Sequence, residues 1–167
     1  MQTTTELTFR LAVREHLAKL DSLLVEALSL LVEHRYPPQV FALSFEVFSD
    51  GFTSRFPVRA FFMDKSNTEY FVVADGLATY PSPIDPDLLA VRCVYPLELE
   101  EDAFQAEPEL DTWQIATDEL IPWFALCWQQ AGGAAFQIEA TIASHDSSRE
   151  FDLRSNLWRP AYSAFVC

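Results

Sequence analysis

The chain has 167 residues, 25 of them acidic and 11 basic, for a formal net charge of −14. Such a balance excludes nucleic acid and anionic membrane surfaces as natural partners, because both are met by Lys and Arg. Half the residues are apolar and fourteen are Phe, which at this length suffices for one hydrophobic core without metals or disulfides.

Residues 5–34 carry the clearest helical pattern. Phe9, Val13, Leu17, Leu20, Leu24, Leu28 and Leu31 recur every three or four positions, with charged residues between them, and this predicts one long amphipathic helix with Thr5 as its cap. Tyr36-Pro37-Pro38 ends it. Residues 40–48 and 55–63 are β-branched and aromatic and flank Asp50-Gly51, a hairpin signal. Pro57 marks the return strand as an edge or a bulge. Residues 69–74 predict a third strand, ended by Asp75-Gly76, so an antiparallel meander is expected.

Residues 80–111 contain five prolines and read as an acidic loop, with a short helix over 86–90 capped by Asp85. A second helix is expected over about 112–131, with Asp111 as its cap. Pro122 lies inside it and Gly132-Gly133 stop it. The alternation of Phe136, Ile138, Ala140 and Ile142 with polar residues, and that of 149–154 after the turn 144–148, predict a final hairpin. The aromatic tail after Leu157 is expected to dock on the core. The expectation is a single α+β domain over 1–167, with two helices packed on one face of an antiparallel sheet of five or six strands.

Cys93, Cys127 and Cys167 are odd in number and widely spaced, which suits free thiols in a reducing compartment. The N-terminus shows no basic-then-apolar leader and no apolar run reaches the length of a membrane span. The expected location is therefore cytoplasmic.

Recognisable chemistry is sparse. His16, His34 and His145 have no neighbours at metal-ligand spacing, and the twelve-residue calcium loop is missing. His145-Asp146-Ser147-Ser148 has the residue types of a hydrolytic triad, but adjacent residues in a turn do not converge on one reacting atom, so these read as turn formers. No glycine-rich phosphate loop or nucleophile elbow occurs. No catalytic residue, cofactor or metal is expected.

Charge is the informative feature. Residues 81–120 hold one basic residue, Arg92, against eleven acidic ones, a net −10 out of −14 for the chain. A block of this kind is either a solvated loop or a surface that steers a cationic partner. On the second reading the partner-binding residues are Glu98, Glu100, Glu101, Asp102, Phe104, Glu107, Glu109 and Asp111. Interleaved Tyr95, Leu97, Phe104 and Trp113 are candidate anchors, or else core.

The order of elements, with strands over Val40 to Ala74, a Trp-containing helix over Trp113 to Gly133 and a hairpin over Phe136 to Leu153, resembles the small α+β immunity proteins of bacterial polymorphic toxin systems, including the YezG-like group. The acidic, Pro-rich stretch 81–111 departs from that architecture. The resemblance implies a cytosolic, non-enzymatic protein that blocks a cognate toxin, with the acidic segment entering a basic cleft. The alternatives are a secretion chaperone or adaptor, which typically ends in a helix rather than a hairpin, and a small-ligand-binding or enzymatic domain.

Overall fold

A computed structural model describes residues 1–161. Among them are four α-helices and seven strands in an α+β arrangement. The tail beyond Ala161, Cys167 included, lies outside the described residues.

The N-terminal helical stretch is two helices, α1 (Thr4–Ala18) and α2 (Asp21–Glu33). Thr3, not Thr5, caps α1, its hydroxyl accepting from the Glu6 amide at 3.1 Å. The break at residues 19–20 involves neither Gly nor Pro. It turns the chain so that Asp21, the first residue of α2, accepts a bond from the Trp123 indole at 2.5 Å. The predicted stripe holds across the break: Phe9, Val13, Leu17, Leu24, Leu28 and Leu31 are all buried.

The main sheet has the order β2-β1-β5-β6-β7. Its strands are β1 (Ala42–Val47), β2 (Val58–Met63), β5 (Glu139–Ser144), β6 (Arg149–Asp152) and β7 (Leu157–Pro160). The sheet is mixed rather than antiparallel throughout: β1 pairs β2 antiparallel but β5 parallel. The crossover from β1 to β5 contains every helix after α2, and a parallel neighbour needs a connection of that kind. As Pro57 suggests, β2 is an edge strand, beginning one residue later. β5 and β6 form the expected C-terminal hairpin, and the first part of the tail adds β7 at the sheet edge.

Three local expectations are corrected. Asp50-Gly51 is no two-residue hairpin turn; residues 48–57 make a longer connection through a short 3-10 turn, Ser49–Gly51, and bury Phe52 and Phe56. The third strand does not extend the meander. After a single bridge from Glu69 to Met63, β3 (Val72–Ala74) leaves the sheet and pairs only with β4 (Leu77–Thr79). The helix expected over 86–90 does not form, because Leu88 adopts φ +68, a left-handed conformation that cannot propagate a right-handed helix.

The acidic segment is not wholly loop. Residues Leu97–Ala106 form α3. The prolines bracket this stretch, at 96 and 108, and do not interrupt it. Glu98 and Glu100 lie in the first turn, where negative charge meets the positive end of the helix dipole. α4 (Thr112–Gln130) follows, with the Asp111 carboxylate accepting from the Gln114 amide at 3.1 Å as expected.

The core lies between the helices and one face of the sheet. Leu43, Phe45 and Val47 of β1 alternate inward, and Phe45 meets Phe124 and Trp128 of α4 at ring separations of 4.9 and 5.6 Å. α4 therefore seats directly on the sheet, and α1 and α2 pack against α4.

Candidate protein-binding surface

The eight residues singled out for partner binding lie on α3 and the turn that joins it to α4. They do different things. Glu98, Glu101 and Asp102 are exposed along α3. Glu100 is half-buried and accepts the hydroxyl of Tyr95 at 2.7 Å. Glu107 accepts the Thr3 hydroxyl at 2.6 Å, which ties the end of α3 to the start of α1. Asp111 caps α4, and Glu109 is exposed in the turn. Only part of the acidic block is thus free to meet a partner; the rest holds α3 in place.

The apolar anchors separate in the same way. Tyr95 is fully buried, stacked on Phe52 at 5.5 Å and edge-on to Phe9 at 5.8 Å. Burial, and then the Glu100 carboxylate, raise its phenol far above the ordinary range, so it is a neutral donor inside the core. Leu97 and Phe104 point outward, 51% and 62% exposed. They are seven residues apart, two helical turns, and lie one above the other with Glu101 between them. Ala103 faces the core and Leu99 packs against it. The free face of α3 is an apolar stripe with a carboxylate inside it and others beside it. Trp113, at the start of α4, is also half exposed.

Sequence periodicity could have found this face. Positions 97, 101 and 104 follow helical spacing, but the density of prolines masks the signal.

The remaining candidates for chemistry resolve into structure. His145 opens the β5–β6 turn and its Nδ1 lies 2.9 Å from Glu46 Oε2. The bond with Glu46, assisted by the charges of Asp146 and Asp50, raises its pKa against a smaller opposing effect of burial. Ser147 accepts from the Arg149 amide at 3.1 Å and Asp146 takes φ +61, which is turn chemistry without convergence on a reacting atom. Among the described residues no group of His, Cys, Asp and Glu side chains is placed to hold a metal ion, and no helix is long and apolar enough to cross a membrane. Cys127 is buried in α4, and desolvation pushes its thiol up to about 12. That leaves it a protonated packing group rather than a nucleophile.

On the helix-free face of the sheet lies a shallow cleft of about 180 Å³, lined by Ser44, Met63, Glu139, Thr141, Glu150 and Arg159 among others. Arg159 pairs there with Glu139, with Glu150 at 3.0 Å and with Asp152 at 3.1 Å. Glu139 lies on β5, Glu150 and Asp152 on β6 and Arg159 itself on β7, so the guanidinium fastens the edge strand to the sheet.

No known protein family, no curated protein and no solved structure matches this chain.

Proposed function

We propose that this chain is a non-enzymatic, cytoplasmic binding protein, an immunity protein that neutralises a cognate bacterial toxin by covering a basic surface of it with α3. The observation that carries the proposal is the free face of α3. Leu97 and Phe104 stand exposed among Glu98, Glu101 and Asp102, with no basic residue in the helix. Interfaces gain affinity from a few apolar or aromatic anchors and gain on-rate and register from complementary charge. α3 offers both on one rigid element, held from behind by Tyr95 and Thr3. A solvated acidic loop would require neither a helix nor two exposed apolar side chains in line.

The test uses the polypeptide encoded beside this chain. Co-expression is expected to protect cells from that polypeptide, and the purified pair is expected to bind more weakly as salt rises. Reversing Glu98, Glu101 and Asp102 to Lys is expected to slow association at least tenfold at low salt and to flatten the salt dependence. Glu100 is left intact because it supports Tyr95. Binding and protection unchanged in the triple variant would refute the role given to α3. A neighbour that is not toxic but is stabilised by the chain would favour the chaperone reading.

A further inference from the structure

Among the described residues, nothing covers either face of the ribbon formed by β3 and β4. Its turn, Asp75-Gly76, has φ +53 and +76, the two-residue geometry whose twist matches the flanking strands. At its base it is anchored by the Tyr70 amide on the Phe62 carbonyl at 2.6 Å and by Arg59 over the Tyr80 ring at 5.3 Å. Beyond that anchor, all six strand residues are exposed. Val72 is paired with Thr79 and Ala74 with Leu77, so these four share one face, with Val72 at 51% and Leu77 at 72% exposure. Val73 on the opposite face is 63% exposed. A two-stranded ribbon with both faces wet is marginal by itself, and its unpaired edges and apolar side chains are the features that natural sheets ordinarily blunt with charge. Here charge is withheld: residues 70–84 contain one charged side chain, Asp75.

We propose that two copies of this chain associate through this ribbon, the Val72–Leu77 face of one copy against the same face of the other. The charge distribution selects this occupant. A cationic partner of the kind proposed for α3 finds no carboxylate on the ribbon besides Asp75. Two copies at −14 each repel one another across acidic surface, and the ribbon is exposed, apolar and nearly uncharged. A twofold contact lets one apolar patch satisfy itself. The ribbon has three residues in each of its two strands, against roughly 20–30 residues a side in a standard stable interface, so the dimer is weak, reversible and concentration-dependent. Salt strengthens it by screening the repulsion between copies, the opposite sign to that expected for the α3 partner.

Sedimentation velocity on the full chain, from low micromolar to near-millimolar concentration at low and high sodium chloride, tests the proposal. The wild type is expected to shift from monomer to dimer with concentration, and at lower concentration in high salt. The double variant Val72→Thr with Leu77→Thr keeps strand-forming residues and is expected to remain monomeric across the range with unchanged circular dichroism. In parallel, hydrogen exchange of the wild type is expected to slow over residues 71–79 at the higher concentration. A wild type that stays monomeric at the highest concentration and salt overturns the proposal. So does a dimer that survives the double substitution, or one whose protection falls elsewhere. The wild-type measurements decide the matter even if the variant fails to fold.

Discussion

Glu119 lies on α4 between two arginines of α1. Its carboxylate accepts from Arg14 Nε at 2.5 Å and from Arg10 Nη1 at 3.1 Å, while Arg10 also pairs with Glu6. Burial alone would raise the Glu119 pKa, but the bonds from Arg14 and Arg10 outweigh it and hold the group below its ordinary 4.5. A carboxyl depressed in the folded state stabilises the fold above its unfolded value, and that contribution disappears as pH falls through the folded value. Glu119→Gln is therefore expected to cost about 1.5 kcal/mol at neutral pH, a figure held down by the exposure of Arg14. In denaturant titrations of both proteins, the difference is expected to be constant above about pH 5 and to shrink on further acidification. A difference that does not change with pH would mean that the α1–α4 contact depends on packing and not on this charge.

At the level of elements, α4 shows how a long helix survives a residue that should break it and how it is made to stop. Pro122 removes the amide that would bond the Asp118 carbonyl, yet the helix continues because Ile115, Ala116, Leu120, Ile121, Phe124, Ala125 and Trp128 are all buried. Gly132 ends it with φ +94, a conformation glycine adopts without penalty. Gly133 has a different role: a Cβ there would lie 2.2 Å from the Trp128 indole. Gly133→Ala is expected to lower stability by about 2 kcal/mol through overpacking and to blue- or red-shift Trp fluorescence. Wild-type stability would show that Trp128 has room to move. Much at this scale could be read from the sequence: the α1 and α2 stripe, the Asp111 cap, the Gly-Gly stop and the β5–β6 hairpin all depend on near neighbours, although Thr141 and Glu150, expected on a wet face, are buried. What could not be read depends on distant ones. The two Asp-Gly pairs look alike locally, yet Gly51 is buried in a long connection while Asp75-Gly76 makes the tight turn. Nothing near β1 indicates that its second neighbour is β5, almost a hundred residues on. Within the candidate site the acidic residues were legible, but the face they share was not, because its visibility depends on the prolines flanking a helix instead of filling a loop.

The whole molecule carries its charge unevenly, and stability must reflect that. Residues 81–120 carry ten net negative charges, and α3 within them contains four carboxylates and no cation. Self-repulsion of this kind opposes the compact state. The ion pairs that would oppose it are local: Arg59–Asp87 at 2.8 Å, the Glu119 arginines and the Arg159 cluster. Close, partly buried pairs are screened less than exposed charges separated by more than a Debye length, about 10 Å at 0.1 M salt. Adding sodium chloride should therefore relieve more repulsion than attraction. The expected gain at about 0.5 M is on the order of 1 kcal/mol, or about 3 °C in Tm for a chain of this size. Chloride suits the measurement better than sulfate, which stabilises folded chains by exclusion whatever their charge. Reversing Glu98, Glu101 and Asp102 to Lys changes the charge by two units at each of three sites, from −14 to −8, and is expected to flatten the rise. If Tm is flat or falls with salt in the wild type, the local pairs dominate, and the acidic block costs the fold little. If Tm rises in the wild type but less in the variant, the carboxylates of α3 are held together against their own repulsion, as expected of a surface retained for a cationic partner.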